Sequence, residues 1–173
     1  MAKIRGRVRK FGDNIDTDTI APGPSLLLPI DEMKKHAFSP ILPEFYKTVR
    51  EGDILVAGSN FGCGSSREQA ASVVKALGFR YVVSESMAKI FLRNCVGLGV
   101  YPVLAKGAGR IFREGDDIEI DLEQGEVRNV GSGEKARFEP LTGTPLEVLE
   151  SGGILQVLKK RIEQEKKSPG IRQ

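Results

Sequence analysis

The chain has 173 residues, of which 40% are hydrophobic and 28% are charged, and its formal net charge at pH 7 is +3. This length suits one domain that buries a substantial core. The small positive excess lacks the organised basic bias of a nucleic-acid-binding protein, and no apolar run is long enough to cross a membrane. We therefore expect neither nucleic acid nor a membrane as a partner.

The cysteine and histidine content limits the metal chemistry of the chain. Cys63, Cys95 and His36 are the only residues of these two types. Two thiols and one imidazole are too few for an iron–sulfur cluster or a histidine-based metal site, so any metal must come with a partner chain. Two cysteines also exclude a disulfide framework, and the first residues lack the pattern of a signal peptide, which predicts a cytoplasmic protein.

The first part of the chain predicts one strand followed by irregular structure. Basic and apolar residues alternate over residues 3–11, which is typical of a half-exposed strand. Three prolines over residues 21–30 exclude a regular helix or a central strand and predict a loop with an apolar tip. Asp31 is placed to cap a helix and Pro43 to begin one, which predicts short helices over residues 32–37 and 43–49.

The middle of the chain alternates strand-like and helix-like segments. Three apolar runs predict strands and the two segments between them predict helices, in the order 53–57, 67–77, 81–84, 86–95 and 100–104. Alternation of this kind predicts crossover connections, and therefore an α/β fold with a sheet that is at least partly parallel.

The next segment has the pattern of antiparallel strands. Apolar and charged residues alternate with period two over residues 116–122, a turn follows at 123–126, and residues 127–130 form a second apolar run. These features predict a hairpin, with a third strand over residues 135–138.

The last part of the chain predicts two helices. Thr144 is placed to cap a helix over residues 145–151, and a final helix is predicted over 153–166. Because no composition shift or repeat divides the chain, we predict a single domain over residues 1–165 and a flexible tail over 166–173.

The glycine-rich turn over residues 58–69 carries the strongest signal for function. It reads Gly-Ser-Asn-Phe-Gly-Cys-Gly-Ser-Ser-Arg-Glu-Gln and joins a predicted strand to a predicted helix. Helix amino termini offer free N–H groups and a positive partial charge, which favour anions. Arg67 adds a bidentate binder of carboxylate or phosphate, and three glycines allow the backbone to approach a ligand closely.

The same turn also permits a purely structural interpretation. Ser65 with Glu68, or Ser66 with Gln69, has the spacing of a capping box at the start of a helix. Other familiar motifs are not formed: the third glycine of the dinucleotide-binding pattern is missing, there is no Gly-Lys-Ser/Thr, and Cys63 has no histidine downstream.

A second candidate is the acidic segment Asp-Thr-Asp-Thr over residues 16–19. Its structural interpretation is a turn whose short polar side chains bind neighbouring backbone N–H groups. His36 is predicted to lie near the surface at a helix end without a direct role. Cys95 falls on the apolar face of a predicted helix and is expected to be a buried small hydrophobe.

Three segments of the sequence resemble one family. They are Gly-Asp-Asn-Ile-Asp-Thr-Asp at residues 12–18, the glycine turn up to Glu68, and Ser-Glu-Ser-Met-Ala-Lys-Ile-Phe-Leu-Arg-Asn at 84–94. In this order they resemble the small subunits of 3-isopropylmalate dehydratase and its homoaconitase relatives, over residues 3–165. The resemblance implies the layered β/β/α swivelling domain of the aconitase superfamily, with a mixed, partly parallel sheet and a C-terminal hairpin-plus-helix region.

The resemblance also implies an activity that this chain shares with a second subunit. It implies a hydro-lyase that isomerises 2-substituted malates by dehydration and rehydration. The large subunit of such a heterodimer or heterotetramer carries a [4Fe–4S] cluster, whose open iron holds the leaving hydroxyl as a Lewis acid. This chain then binds no cofactor of its own and is expected to be inactive alone.

Roles for individual residues follow from the resemblance position by position. Ser65 matches the serine taken as the base that removes a proton beside a carboxylate. Asp18 matches an aspartate that lies near this serine and the substrate. Ser66 and Arg67 match substrate-binding positions, with Arg67 gripping the carboxylate, and Gly64 lets the backbone approach the substrate.

The loop after the Asp-Thr-Asp motif reads the substrate's substituent in that family. Here its tip is Leu26, Leu27 and Leu28. At residues 24–26 this chain has Pro-Ser-Leu, where many relatives have Arg-Tyr-Leu. No arginine lies between Arg9 and Arg50. An apolar substituent is favoured, which predicts isomerisation of 2-isopropylmalate to 3-isopropylmalate in leucine biosynthesis. Homoaconitate, citraconate or citramalate and 2,3-dimethylmalate substrates stay open. The alternative of another class is a non-catalytic interaction module that uses the same helix amino terminus to bind a carboxylate or phosphate, whereas the enzyme's substrate is expected to be a small di- or tricarboxylate.

Overall fold

Seven strands form one mixed sheet in the computed structural model, which describes residues 3–167. In chain order they are β1 (Ile4–Lys10), β2 (Ile54–Val56), β3 (Tyr81–Ser84), β4 (Tyr101–Leu104), β5 (Asp117–Asp121), β6 (Glu126–Asn129) and β7 (Lys135–Arg137). Across the sheet the order is β4-β3-β2-β1-β5-β6-β7.

The helices of the described residues are mostly short. They are α1 (Thr17–Ile20), α2 (Ile30–Met33), α3 (Glu68–Ala76), α4 (Lys89–Leu98), α5 (Ala108–Ile111), α6 (Thr144–Glu150) and α7 (Ile154–Lys167). Single 3-10 turns occur at Gly23–Ser25, Lys34–His36 and Phe45–Lys47. Between residues 3 and 167, none of these helices combines the length and the hydropathy needed to span a bilayer.

Strand β1 joins two halves of the sheet that differ in direction. It runs parallel to β2, with Val8 opposite Ile54, and β3 and β4 continue this parallel half. On its other edge β1 runs antiparallel to β5, with Ile4 opposite Ile120, and β6 and β7 extend the meander. The predicted partly parallel sheet and the predicted C-terminal hairpin are both confirmed.

The parallel half of the sheet is buried on both faces. Leu55 belongs to a core shared with α3 and α4, whereas its neighbours Ile54 and Val56 belong to a second core. That second core also contains Ile118 and Ile120 of β5, because the curled antiparallel half lies over the parallel half. A layer of helices, the parallel strands and the antiparallel strands thus follow one another, which is the predicted β/β/α arrangement.

Aromatic packing holds the long connection between β1 and β2 against the first core. The Phe38 ring stacks on Phe11 with a centroid distance of 4.4 Å, and the Phe45 ring meets both edge-on at 5.3 Å. All three side chains are buried. Rings of this size bury enough apolar area to fix a segment that has little regular structure of its own.

Both helices predicted in this connection differ from the structure. α2 begins one residue before Asp31, follows Pro29, and has no side-chain cap, so Asp31 does not cap it. The helix predicted to begin at Pro43 is only the 3-10 turn at Phe45–Lys47. Glu44 has a φ of +60°, in the left-handed region, which prevents an α-helix from starting before it.

Later helix ends also differ from the sequence pattern. α4 begins at Lys89 and continues through Gly97, and only Gly99, with a φ of +80°, ends it. Thr144 is the first residue of α6 and gives no side-chain cap. The predicted flexible tail over 166–173 falls largely outside the described residues, and its first two residues belong to α7.

A buried ion pair fixes the start of β2 against β1. The Asp53 carboxylate accepts hydrogen bonds from the Arg7 guanidinium at 2.9 and 3.1 Å, from Arg9 at 3.3 Å and from the Arg50 backbone N–H at 3.0 Å. Arg9 is itself buried and also donates to the Thr48 carbonyl oxygen at 2.8 Å. Burial alone raises the pKa of Asp53, but these donors outweigh burial and hold that pKa below its ordinary value.

Replacing Asp53 by Asn tests this ion pair. We expect Asp53→Asn to lower the free energy of unfolding by about 1.5 to 3 kcal/mol at pH 7, because the charged acceptor shared by Arg7, Arg9 and the Arg50 N–H is lost while Arg9 keeps its 2.7 Å ion pair with Glu114. The folded-state pKa of Asp53 is depressed, so its stabilisation is present at neutral pH and is lost as pH falls through that pKa. The difference in free energy of unfolding between wild type and variant, measured by urea denaturation, should therefore decrease below about pH 4.

The exposed Asp117 on β5 provides a matched control. Its carboxylate forms no hydrogen bond or ion pair with any of residues 3–167, so Asp117→Asn should change stability by less than about 0.5 kcal/mol. Equal effects of the two substitutions would contradict the importance assigned to Asp53.

Candidate active site

Three loops meet where neighbouring parallel strands end. Residues 12–18 follow β1, residues 58–67 follow β2, and residues 85–88 follow β3. Sites in parallel sheets lie beyond the carboxyl ends of the strands, because loops from adjacent strands converge there. The three segments that carry the family resemblance are therefore neighbours in space.

Backbone hydrogen bonds join the first loop to the glycine turn. Asp16 and Cys63 form a parallel β-bridge. Three bonds of 2.8 Å connect the two segments, from Asn14 N to Ser59 O, from Gly62 N to Ile15 O and from Thr17 N to Cys63 O. Because backbone groups make these bonds, the loops form one unit whose geometry does not depend on flexible side chains.

The third loop is attached to the same unit. The backbone N–H of Asn60 donates to the Ser86 hydroxyl at 2.7 Å, and that of Phe61 donates to the Ser86 carbonyl at 3.1 Å. The backbone N–H of Ala88 donates to the Phe61 carbonyl oxygen at 2.9 Å. This attachment sets where α4 begins, since Ala88 directly precedes its first residue.

Two glycines of the turn have conformations and contacts that other residues cannot adopt without strain. Gly62 has a φ of +74°, and a Cβ atom there would collide with the buried Phe91 ring of α4. Gly64 has a φ of +97° and lies against residues 16 and 17, where a Cβ atom would be 3.4 Å from the Thr17 hydroxyl. Both glycines are therefore needed for the shape of the turn.

Ser65 and Ser66 precede the helix rather than beginning it. α3 starts at Glu68, with Arg67 in the N-cap position, and no side chain caps it. The capping box considered for either serine is not formed, so the structural interpretation based on it is wrong. Both serines are exposed, and Arg67 N donates to the Ser65 carbonyl oxygen at 2.8 Å.

Asp18 contacts the arginine of the turn rather than the serine. Its carboxylate forms an ion pair with the Arg67 Nη1 atom, and the exposed fractions of the two side chains are 63% and 27%. The resemblance places Asp18 near the active-site serine. In the structure the contact of Asp18 with the glycine turn is its ion pair with Arg67. The pair holds the guanidinium beside the two serines.

The residue that touches Ser65 is Thr17. Its hydroxyl donates to the Ser65 carbonyl oxygen at 3.0 Å and lies 3.3 Å from the Ser65 hydroxyl. Thr17 is buried, with 2% of its surface exposed. The sequence interpretation gave Thr17 no role of its own, although it lies inside the Asp-Thr-Asp motif that signalled the loop.

A cleft of about 360 Å³ opens beside these groups. Its lining comprises glycine-turn residues and the first turns of α4: Thr17, Gly62, Gly64, Ser65, Ser66, Arg67, Ala88, Lys89, Ile90, Phe91 and Asn94. Four of the predicted site residues therefore line one cleft. Lys89 adds a second cation to the lining, so the cleft suits a small dicarboxylate.

The three leucines of the predicted loop tip do not line this cleft. Leu26 packs against the first hydrophobic core, whereas Leu27 is 97% exposed and Leu28 is 39% exposed. The apolar tip predicted from the sequence is thus reduced to two exposed side chains.

The described residues offer no place for a metal cluster. Between residues 3 and 167, no three His, Cys, Asp or Glu side chains are grouped to hold a metal ion. Cys63 lies half-buried in the glycine turn, while Cys95 lies in the core between α4 and the sheet. Burial raises the pKa of the Cys95 thiol to about 12, which keeps it protonated and unsuited to bind iron.

Comparison with known proteins gives the family. Residues 28–108 match the Aconitase C-terminal domain. A 3-isopropylmalate dehydratase small subunit of Methanopyrus kandleri is 46% identical over 158 residues, which cover 91% of this chain and 93% of that protein. The chain belongs to the 3-isopropylmalate dehydratase small-subunit family. The resemblance read from the three motifs is thereby confirmed.

Two further relatives of this family agree with the fold and with its extent. A methanogen homoaconitase small subunit of Methanothermobacter thermautotrophicus is 44% identical, over 92% of this chain and 93% of its own length. A crystal structure of 3-isopropylmalate dehydratase from Methanocaldococcus jannaschii superposes with a TM-score of 0.87 at 41% identity. The match covers 96% of this chain and 100% of that one, so the layered fold is that of the family.

The packing of Gly62 against Phe91 gives a test of the site's architecture. We expect Gly62→Ala to lower the free energy of unfolding by about 2 kcal/mol or more, because the methyl group collides with the ring and φ is positive. Urea denaturation measures this change. Gly23→Ala is the control, since Gly23 has open space around its Cβ position, and it should differ from wild type by less than about 1 kcal/mol.

Proposed function

We propose that the chain is the small subunit of a heteromeric hydro-lyase that interconverts 2-isopropylmalate and 3-isopropylmalate by dehydration and rehydration. The observation that carries this proposal is the cleft in which Ser65, Ser66 and Arg67 lie together, in a chain of this family. Small hydroxy-dicarboxylates match its size and its two cations. The protein's own contribution is to bind the carboxylates and to move one proton.

Arg67 binds a substrate carboxylate in this proposal. A guanidinium offers parallel N–H donors that match two carboxylate oxygens, a geometry that lysine cannot reproduce. Asp18 holds Arg67 in the cleft before substrate arrives. Because this ion pair is exposed, it contributes no more than about 1 kcal/mol, and a substrate carboxylate can displace Asp18 or share the guanidinium with it.

Ser65 is the proposed base that removes the proton from the carbon beside the bound carboxylate. A serine hydroxyl is a weak base near neutral pH, and each pKa unit of correction requires about 1.36 kcal/mol. The nearby Arg67 charge and the N–H groups of the turn favour an alkoxide only where water is excluded. Ser65 is exposed in this chain, so the surface that excludes water must come from another subunit.

We therefore propose that a large subunit covers the cleft in a heterodimer or heterotetramer. Small-subunit names of the relatives support such a partner. The partner would carry the [4Fe–4S] cluster, which supplies a Lewis acid for the leaving hydroxyl. The two thiols of this chain do not fit a cluster, since one is buried in the core, and no step assigned to its residues passes through iron.

The substituent of the substrate is proposed to be apolar. Leu27 and Leu28 are exposed on the loop that follows α1, and a covering partner would enclose them together with the substrate. Isopropyl suits such a surface better than a carboxylate does. A relative from Methanocaldococcus jannaschii with 42% identity is named isopropylmalate/citramalate isomerase, so alkyl groups of other sizes belong in the test.

The assay uses the complete complex. The chain is reconstituted anaerobically with the large subunit of its source organism, and turnover is compared for 3-isopropylmalate, citramalate, 2,3-dimethylmalate, homocitrate and homoaconitate. We expect 3-isopropylmalate to have the highest kcat/KM and the isolated chain to be inactive. Faster turnover of the tricarboxylates would reject the apolar assignment, and turnover by the isolated chain would reject the shared site.

Substitutions in the cleft separate a catalytic from a binding role. We expect Ser65→Ala to lower kcat at least about 100-fold, since a proton-transfer group is lost. Arg67→Lys should lower kcat/KM about 10- to 100-fold because the bidentate contact is lost. Arg137→Lys on β7, outside the cleft, is the matched control and should match wild type.

The non-catalytic alternative gives a different pattern. A carboxylate-binding module would bind the same ligands in calorimetry without turnover in any complex, and Arg67→Lys would weaken that binding only slightly. Full activity of Ser65→Ala in the complex would instead mean that another group removes the proton.

A further inference from the structure

The contact between Thr17 and Ser65 determines where two hydroxyl protons lie. A carbonyl oxygen cannot donate, so the Thr17 hydroxyl is the donor in its 3.0 Å bond to the Ser65 carbonyl. With that single proton used, the 3.3 Å contact between the two hydroxyl oxygens requires Ser65 to donate to Thr17. The Ser65 proton then points at Thr17, and its lone pairs point elsewhere.

We propose that Thr17 is a positioning residue, which orients the Ser65 hydroxyl and donates a hydrogen bond to Ser65 once Ser65 has lost its proton. The proposal rests on the proposed function, in which Ser65 is the base. It adds to that function the group that makes a serine effective there.

Loss of the Ser65 proton changes the donor in this contact. An alkoxide can only accept, so the Thr17 hydroxyl turns about its Cβ–Oγ1 bond from the carbonyl oxygen to the alkoxide. No heavy atom has to move, because both acceptors are already within 3.3 Å. Hydrogen bonds to charged oxygen are about twice as strong as neutral ones, so the exchange favours the deprotonated state.

The proton balance of the step is complete within the proposed reaction. Ser65 is exposed in the separate chain, so a small equilibrium fraction of its hydroxyl loses the proton to water, and covering the cleft then stabilises that fraction because water is excluded. The alkoxide then takes the proton from the substrate carbon, and the electron pair of that bond forms the double bond as hydroxide leaves. Thr17 returns to the carbonyl oxygen when Ser65 is a hydroxyl again.

Thr17 is held firmly enough for this task. Its N–H donates to the Cys63 carbonyl at 2.8 Å, and its own carbonyl accepts from Ala21 N at 2.9 Å. The single turn of α1 is capped by Asp16, whose carboxylate accepts from Thr19 N at 2.7 Å. A buried side chain with its backbone fixed on both sides can orient a neighbour precisely because it has little freedom itself.

Asp18, which is the other candidate of this loop, does not have this role. Its carboxylate is paired with Arg67 and lies mostly in solvent. A carboxylate at pH 7 can only accept hydrogen bonds, so it cannot stabilise an alkoxide. Among the side chains of residues 3–167, Thr17 is the hydrogen-bond partner that the Ser65 hydroxyl has.

Removing the Thr17 hydroxyl in the reconstituted complex tests the proposal. We expect Thr17→Val to lower kcat about 10- to 100-fold while KM changes much less, because the lost bond matters only after deprotonation. The apparent pKa of the limb on which the rate rises with pH, where the base loses its proton, should increase by about one to two units. Thr17→Ser keeps the hydroxyl and should recover most of the rate.

Two further variants are controls for the Thr17→Val result. Thr19→Val makes the same chemical change two residues away, at a hydroxyl that bonds to none of residues 3–167, and should behave as wild type. If Thr17→Val does not fold, as judged by urea denaturation, Thr17→Ala removes the same hydroxyl without adding a methyl group beside Ser65. Equal losses in the Ser and Val variants, or a lower kcat with an unchanged pH profile, would mean a merely structural role and would overturn the proposal.

Crystal structures of the variant chains give a readout that needs no turnover. Ser65 is expected to leave its orientation toward residue 17, or to occupy several rotamers, in Thr17→Val and to keep one in Thr17→Ser. An unchanged single Ser65 orientation in the Val variant overturns the proposal. If the wild-type complex isomerises none of the carboxylates, the proposed function fails, and these structures alone decide whether Thr17 orients Ser65.

Discussion

The alignment of β1 with β2 is the constraint on which the site depends. Val8 lies opposite Ile54, and because of this register the two strands lead into loops whose residues lie side by side. Asn14 therefore meets Ser59, and Thr17 meets Cys63, through backbone hydrogen bonds. The buried pair of Asp53 with Arg9 secures the same register at the other end of the strands. A slip of one residue would separate the threonine from the serine it contacts.

The strands and helices of the fold were predictable because they rest on repeated patterns, whereas their layering was implied by the family resemblance. Alternating strands and helices from residue 53 to 104 indicated the parallel half, and period-two alternation after residue 116 indicated the hairpin. Helix ends were less predictable, since they depend on local backbone conformation. Glu44 in the left-handed region and Ser86, which binds the glycine turn, each moved a helix start without leaving a signal in the hydrophobic pattern.

The site was predictable in its composition but not in its contacts. The glycine turn indicated Ser65 and Arg67 as site residues, because glycines, serines and a cation occur together in one strand-to-helix connection. Which acidic-loop residue touches which turn residue depends on side-chain directions across 48 positions of sequence, and no local pattern contains that information. Thus Asp18 was expected beside Ser65. In the structure Asp18 forms an ion pair with Arg67, and the residue that contacts the Ser65 hydroxyl is Thr17.

The central position of β1 has a consequence for how the protein forms. This strand precedes the other six strands of the sheet along the chain, yet its neighbours are β2 and the distant β5, whose Ile120 pairs with Ile4. Contacts between such distant parts of a chain slow folding, because a long loop must close before they are made. During synthesis one edge of β1 therefore stays unpaired until β5 has left the ribosome, and charged side chains such as the basic residues along β1 oppose pairing of an open edge with another chain.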